Sequence, residues 1–397
     1  MESSNFPVSE AVKRMRPSAT FASMQAANDL RAEGFDVIDL SLGEPDFDTP
    51  EQIKQYAVGA LERGVTKYTA TPGLKPLQQA IIGFYERQFG TKFNADQIMA
   101  TAGGKQAIFN SVVALANPGD DVLLHKPYWV SFPEIVNFTG ARIVAIDTES
   151  TGFVLTSEQV KNSITPKTKL LILNSPGNPS GRVVPPGEMR KIVEVCAERN
   201  VFVVSDECYL KFVFPPAEVF SVASLPAELR DFVCISGTFS KTLAMTGWRV
   251  GYSIANPGWT KAMIKLQSHS TSHPTSFAQA GCADALNNWD ETEKSLNEML
   301  GEYTRRRAYL IPALGEIQGF KCPEPEGAFY AFVDVRGCFN EQIKSSADVV
   351  DLLLKEAHVV TTDGAGFGVS GFIRISYAAS LEKLQEAIER IGRVFNK

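Results

Sequence analysis

Phe232-Val-Cys-Ile-Ser-Gly-Thr-Phe-Ser-Lys241, running on to Arg249, is the stretch that decides the fold of this 397-residue chain. Phe232–Ile235 is an apolar run that reads as a buried strand, and the Ser/Thr/Gly stretch behind it reads as a polar loop. The loop carries Lys241, eight residues before Arg249. A lysine amine can form a Schiff base with an aldehyde, while hydroxyls and a guanidinium hold a nearby phosphate dianion. Pyridoxal phosphate carries both groups. A lysine on an exposed polar turn fits the same stretch, so the rest of the chain has to choose.

A chain this long exceeds one ordinary core, and two domains are expected. Its 44% hydrophobic and 21% charged residues are the composition of a soluble globular protein. The net charge of -6 and pI of about 5.5 argue against a nucleic-acid or anionic-membrane surface. No apolar run approaches the ~18 residues of a membrane span. Met1-Glu-Ser-Ser-Asn-Phe-Pro7 has no signal-peptide pattern, so a cytoplasmic location is expected. The six cysteines, Cys196, Cys208, Cys234, Cys282, Cys322 and Cys338, form no CxxC pair and read as free thiols in a reducing compartment. His269 and His273 have helical spacing, but no third ligand is suggested nearby, and no metal is expected.

The middle of the chain alternates short apolar runs with helical patterns. Val122–Leu124, Leu170–Leu173, Val201–Val204, Phe232–Ile235 and Val250–Ile254 read as strands, and Gly104–Ala116 and Glu188–Arg199 as helices. That alternation predicts an α/β fold, a mostly parallel sheet covered by helices. The C-terminal third reads differently. A long helical stretch over Glu291–Leu314 precedes Ala328–Val335, a helix near Ala347–Ala357, a strand near Phe372–Ser376 and a final helix from Leu381. This predicts a large domain over 46–290 and a smaller α+β domain built from 1–45 and 291–397.

Ligands of an open α/β sheet bind outside the carboxyl ends of its strands. Polar residues fall in those places. Ser205-Asp-Glu-Cys-Tyr209 follows one strand, Asn174-Ser-Pro-Gly-Asn178-Pro-Ser-Gly181 another, and Lys241 a third. Met99–Thr101 leads into Gly103 and Gly104, whose bare N–H groups at a helix start suit a phosphate. The GxxxxGK[ST] phosphate loop is absent, and Gly364-Ala-Gly366-Phe-Gly368 lacks the strand–helix context of a dinucleotide fingerprint, so a flexible loop is expected there. Beside pyridoxal phosphate, Asp206 would keep the pyridine nitrogen protonated. Tyr209 and the Asn178 amide would reach the ring's phenolic oxygen. Asp206 as a helix N-cap is the competing reading. Arg374, flanked by isoleucines in Phe372-Ile-Arg-Ile-Ser-Tyr377, faces opposite them in a strand and suits bidentate capture of a carboxylate. An exposed edge-strand arginine is the alternative.

These residues together resemble the class I aminotransferases of fold type I, in the branch of bacterial-type aspartate and aspartate/prephenate aminotransferases. Further carriers are Ser41-Leu-Gly-Glu-Pro-Asp-Phe-Asp-Thr-Pro50, Lys67-Tyr68, Gly103-Gly-Lys105, Pro127-Tyr-Trp129-Val and Arg374-Ile-Ser-Tyr-Ala378. The resemblance covers nearly the whole length. It implies pyridoxal 5′-phosphate as cofactor, with Lys241, Asp206 and Tyr209 catalytic. It also implies ring contacts from Trp129 and Asn178, and a phosphate surrounded by Gly103, Gly104, Lys105, Thr238, Ser240 and Arg249, with Tyr68 reaching in from a partner. Arg374 and Gly43 would take the substrate α-carboxylate. A shared site implies a homodimer.

Two departures stand out. Ser236-Gly-Thr-Phe-Ser-Lys241 looks one residue longer than the form expected in this branch, which leaves the phosphate hydroxyls open. Arg16, in Arg16-Pro-Ser-Ala-Thr20, stands where the branch usually has lysine. With Thr20 and Lys105 it would meet the far end of a dicarboxylic substrate, a pattern the resemblance ties to prephenate. The activity implied is amino transfer between L-aspartate or L-glutamate and a 2-oxo acid such as 2-oxoglutarate, oxaloacetate or prephenate. Aromatic substrates, a C–S β-lyase or decarboxylase on the same fold, and a non-enzymatic effector-binding module are the alternatives.

Overall fold

The computed structural model describes residues 7–17 and 19–396, without the side chains of residues 19–24 and 26. Its centre is a seven-stranded sheet in the order Ile98–Thr101, Gly251–Ile254, Val233–Thr238, Phe202–Asp206, Thr168–Asn174, Asp121–Lys126, Arg142–Asp147. Gly251–Ile254 runs antiparallel to both its neighbours, and every other pairing is parallel. The inner strands are largely apolar because helices cover both faces. Leu170, Leu171, Ile172 and Leu173 are all fully buried. Helix Pro186–Glu198 buries Met189, Ile192, Val193 and Cys196 and keeps its charges outside.

The sequence reading misses the edge strand Arg142–Asp147. Its Arg142, Ala145 and Asp147 are exposed, so it lacks the apolar run of its neighbours. Two other differences are local. Phe232 precedes its strand, which starts at Val233 and runs on to Thr238. Gly364–Phe367 is a 3-10 turn with Phe367 fully buried, not an open loop.

The C-terminal third supplies the 27-residue helix Trp289–Gly315, the helix Leu381–Phe395 and a second sheet. In that sheet Phe372–Ser376 lies between Thr362–Asp363 and Tyr330–Asp334, antiparallel to both. Ile38–Asp39 pairs in parallel with Val359–Val360. Among the described residues no helix is long and apolar enough to cross a membrane.

One buried group in the large sheet makes stability depend on pH. His125 sits in Asp121–Lys126, is fully buried apart from 6% of its surface, and has no partner on either ring nitrogen. Burial pushes its pKa from 6.5 down to about 4. The unfolded chain therefore binds this proton more readily than the folded one. The stabilisation is complete above pH 6.5 and is lost as pH falls toward 4. Between pH 7.5 and pH 5, His125→Leu should lose about 2 kcal/mol less unfolding free energy than the wild type, measured by urea titration.

Candidate active site

The carboxyl ends of the parallel strands open into one cleft of about 270 Å³. Asn174, Asp206 and Thr238 each end a strand, Ser240 and Lys241 follow Thr238 in the chain, and all five line the cleft. The sheet thus brings together the groups that the sequence scatters.

At one end the backbone approaches itself closely. Gly103 has φ 82°, and a Cβ there would lie 2.6 Å from Nη2 of Arg249. A Cβ on Gly251 would lie 2.7 Å from Gly104 N. Bare glycine therefore lets Arg249 close on the start of helix Gly104–Val113. Arg249 is fixed in turn, donating from Nη1 to Thr246 O at 2.7 Å and from Nη2 to Ala102 O at 3.3 Å. Thr238 Oγ1 donates to Ser240 Oγ at 2.9 Å. Helix N–H groups, a guanidinium and two hydroxyls converge on one spot, which fits a phosphate dianion. Both hydroxyls left open by the longer loop lie at this end.

In the middle of the cleft, Asp206 ends its strand and no helix follows, so it is not an N-cap. Its Oδ1 accepts from Cys208 N at 3.3 Å. Burial raises its pKa to about 7, against the pull of Cys208 hydrogen bonds and the Lys241 charge. A desolvated carboxylate here is stabilised by a cationic N–H beside it, which a pyridinium provides. Asn174 props the strand end, donating from Nδ2 to Asp206 O at 3.0 Å and accepting from Asn178 N at 2.8 Å. Lys241 Nζ donates to Gly43 O, and burial lowers its pKa toward the neutral, nucleophilic amine.

At the far end lies Arg374, central in its sheet and 2% exposed, so the edge-strand alternative fails. Its guanidinium carbon sits 4.7 Å from the Tyr330 ring and 4.9 Å from the Phe367 ring. Nη1 donates to Asn178 Oδ1 at 3.0 Å and Nη2 to Ser41 O at 2.5 Å, while buried Nε has no partner. An orphaned donor on a desolvated guanidinium fits a ligand carboxylate. Asn178 keeps its own amide donor for the cleft.

Trp129 forms a side wall, with Lys105 Nζ 5.0 Å from its ring centroid. Burial, then the Arg249 charge, lowers the Lys105 pKa. Lys105 also lines an adjoining cleft of about 860 Å³, whose wall includes Arg16. The Arg16 backbone N–H donates to Glu134 Oε2 at 2.6 Å. The Thr20 side chain lies outside the described residues. Tyr68 is 94% exposed, stacks edge-on against His273 and does not line its own chain's cleft. His273 Nε2 accepts from Thr69 N at 3.2 Å, and no group of three metal-ligating side chains occurs among the described residues.

Three contributors escaped the sequence reading. Tyr330 lines the cleft, its hydroxyl 2.7 Å from that of Tyr209. Glu207 is buried beside Asp206 and accepts from Ser221 Oγ at 2.7 Å and Val222 N at 2.9 Å, which anchors the turn carrying Asp206. Arg306 donates to Asp46 Oδ1 at 2.7 Å and stacks on Phe47, holding the segment that carries Gly43.

Known proteins place this cleft in context. A family model described as aminotransferase class I and II matches residues 36–391. A probable aspartate/prephenate aminotransferase of Aquifex aeolicus is 38% identical over 97% of this chain and 98% of its own length. The aspartate aminotransferase of Bacillus sp. YM-2 is 40% identical over 96% of this chain and 97% of its own. Among solved structures, the aspartate aminotransferase of Thermus thermophilus with maleate has a TM-score of 0.93 at 37% identity, covering 98% of this chain and 100% of that one.

Proposed function

Because the chain belongs to the class I and II aminotransferases, we propose that it moves the amino group of L-aspartate or L-glutamate to 2-oxoglutarate, oxaloacetate or prephenate. The observation that carries this reading is the pairing, in one cleft, of a half-buried lysine with a buried arginine whose Nε lacks a partner. The cofactor is pyridoxal 5′-phosphate. When bound, it supplies an aldehyde that takes the substrate nitrogen and a pyridinium ring that accepts electrons from Cα.

The chain's own residues do the rest. Gly103, Gly104, Thr238, Ser240 and Arg249 hold the phosphate, with Lys105 at its margin. Asp206 keeps the ring nitrogen protonated. Tyr209 and Asn178 donate to the ring oxygen, and Trp129 covers one ring face. Arg374, with the Gly43 backbone above it, takes the α-carboxylate and aims the Cα–H bond. Lys241 would anchor the cofactor, and its Nζ would serve as the base that carries the substrate Cα proton.

Lys105 and Arg16, on the wall of one cleft, offer positive charge to a side-chain carboxylate. The maleate of the Thermus relative is a ligand of that dicarboxylic kind. The exposed Tyr68 supports a homodimer in which each chain completes its partner's phosphate seat. The division into 46–290 and 1–45 plus 291–397 would place Arg374 and Lys241 on different domains, so that substrate capture draws them together.

Steady-state assays with L-aspartate and each acceptor test the reading. Turnover with 2-oxoglutarate and with prephenate is expected. Turnover with 2-oxoglutarate alone removes prephenate from the proposal. Steady pyruvate and ammonia release from L-cystathionine, with no transfer to any oxo acid, overturns it in favour of β-elimination.

A further inference from the structure

Tyr330 has no role in the reaction so far, yet it touches three groups that do. It is fully buried, and its strand pairs with the strand carrying Arg374, so the main chain fixes its position. Its hydroxyl lies 2.7 Å from the Tyr209 hydroxyl, with the two rings edge-on at 5.7 Å. Its ring lies 4.7 Å from the Arg374 guanidinium carbon. A Cβ on Gly43 would fall 2.9 Å from the Tyr330 hydroxyl oxygen. One side chain thus links the residue facing the cofactor ring oxygen to the residue facing the substrate carboxylate.

Resting on the function proposed above, we propose that Tyr330 is a positioning residue with two separable parts. Its hydroxyl sets the direction of the Tyr209 hydrogen, and its ring holds the plane of the Arg374 fork. Each phenol has one hydrogen to donate. If Tyr209 gives its hydrogen to the cofactor's ring oxygen, the 2.7 Å contact is satisfied only when Tyr330 donates to Tyr209. A phenol that accepts one hydrogen bond in a dry site is a stronger donor in the next. The chain Tyr330 to Tyr209 to ring oxygen therefore stabilises negative charge on that oxygen. The Arg374 contact is cation–π. Arg374 is desolvated and gives two donors to Asn178 and Ser41, and its guanidinium lies over both the Tyr330 and the Phe367 ring.

Tyr330→Phe removes the hydroxyl and keeps the ring, whereas Tyr330→Leu removes both. The test is the pH titration of the bound cofactor's absorbance in the holoenzyme, together with steady-state constants. In Tyr330→Phe the titration midpoint should rise by about half a pH unit, because negative charge on the ring oxygen is less well stabilised, while KM for the amino acid stays within about twofold. Tyr209→Phe should raise the midpoint further, and the double variant should match Tyr209→Phe alone. Tyr330→Leu should in addition raise KM about tenfold. A Tyr330→Phe midpoint within about 0.1 unit of wild type, or additive shifts in the double variant, overturns the proposal. Lys241→Ala separates the two levels. If it keeps the wild-type titration, the active-site reading fails and this proposal falls with it. If it loses that titration while Tyr330→Phe leaves the midpoint unmoved, only the role of Tyr330 falls.

Discussion

Lys241→Ala is expected to lower amino transfer about 10⁴-fold or more without unfolding the protein. Lys241 is half-buried in the loop after a central strand and donates to Gly43 O. Burial depresses its pKa, in the direction of the neutral amine that proton transfer needs. Among the described residues no other amine is held in the centre of the cleft. Lys105, the other lysine on its wall, lies over Trp129 at the margin. Removing a partly desolvated cation relieves its desolvation cost, which offsets the lost Gly43 contact, so thermal unfolding should change little. The check is a single-turnover assay beside a melting curve. Amino transfer within tenfold of wild type would show that another group moves the proton.

Arg374→Lys is expected to lower kcat/KM for L-aspartate by about 10²- to 10³-fold, mostly through KM, equivalent to roughly 3–4 kcal/mol. The effect is large because the site is dry. Arg374 is 2% exposed and lies over two aromatic rings, with Asn178 and Ser41 holding its terminal nitrogens. A lysine there cannot present a planar fork, cannot reach those acceptors together, and neutralises readily when buried. Steady-state kinetics over a range of L-aspartate concentrations is the check. A variant with unchanged KM would place the carboxylate elsewhere.

The parts of this site that were legible in the sequence are those whose local pattern conflicts with a purely structural role. Lys241 follows an apolar strand in a loop of hydroxyls. Arg374 lies between two isoleucines, where charge is costly unless a ligand needs it. Asp206 and Asn174 end apolar runs, and strand ends are where an open sheet binds ligands. Each is a polar residue at a position whose neighbours demand burial.

The missed residues lack that conflict. Tyr330, in Gly327-Ala-Phe-Tyr-Ala-Phe-Val333, reads as one more core aromatic; only the pairing of its strand with Phe372–Ser376 brings it against Arg374. Glu207, next to Asp206, reads as a surface acid. Its partners Ser221 and Val222 lie 14 and 15 positions further on, beyond the local pattern. Arg306 reads as one charge among many on a long helix, and its partner Asp46 is 260 positions away. Such long-range pairings follow from topology. The edge strand Arg142–Asp147 was missed for a simpler reason, since it has one neighbour and an exposed face.

One amino group is expected to pass from amino acid to cofactor to oxo acid at this cleft. This transfer is tested most directly by adding L-aspartate, without an acceptor, to the cofactor-loaded protein and following its absorbance. The aldehyde form of the cofactor should disappear with one oxaloacetate formed per site, and 2-oxoglutarate should then restore it. Absorbance that does not respond to L-aspartate or L-glutamate, or product that accumulates beyond one per site without an acceptor, would contradict the account.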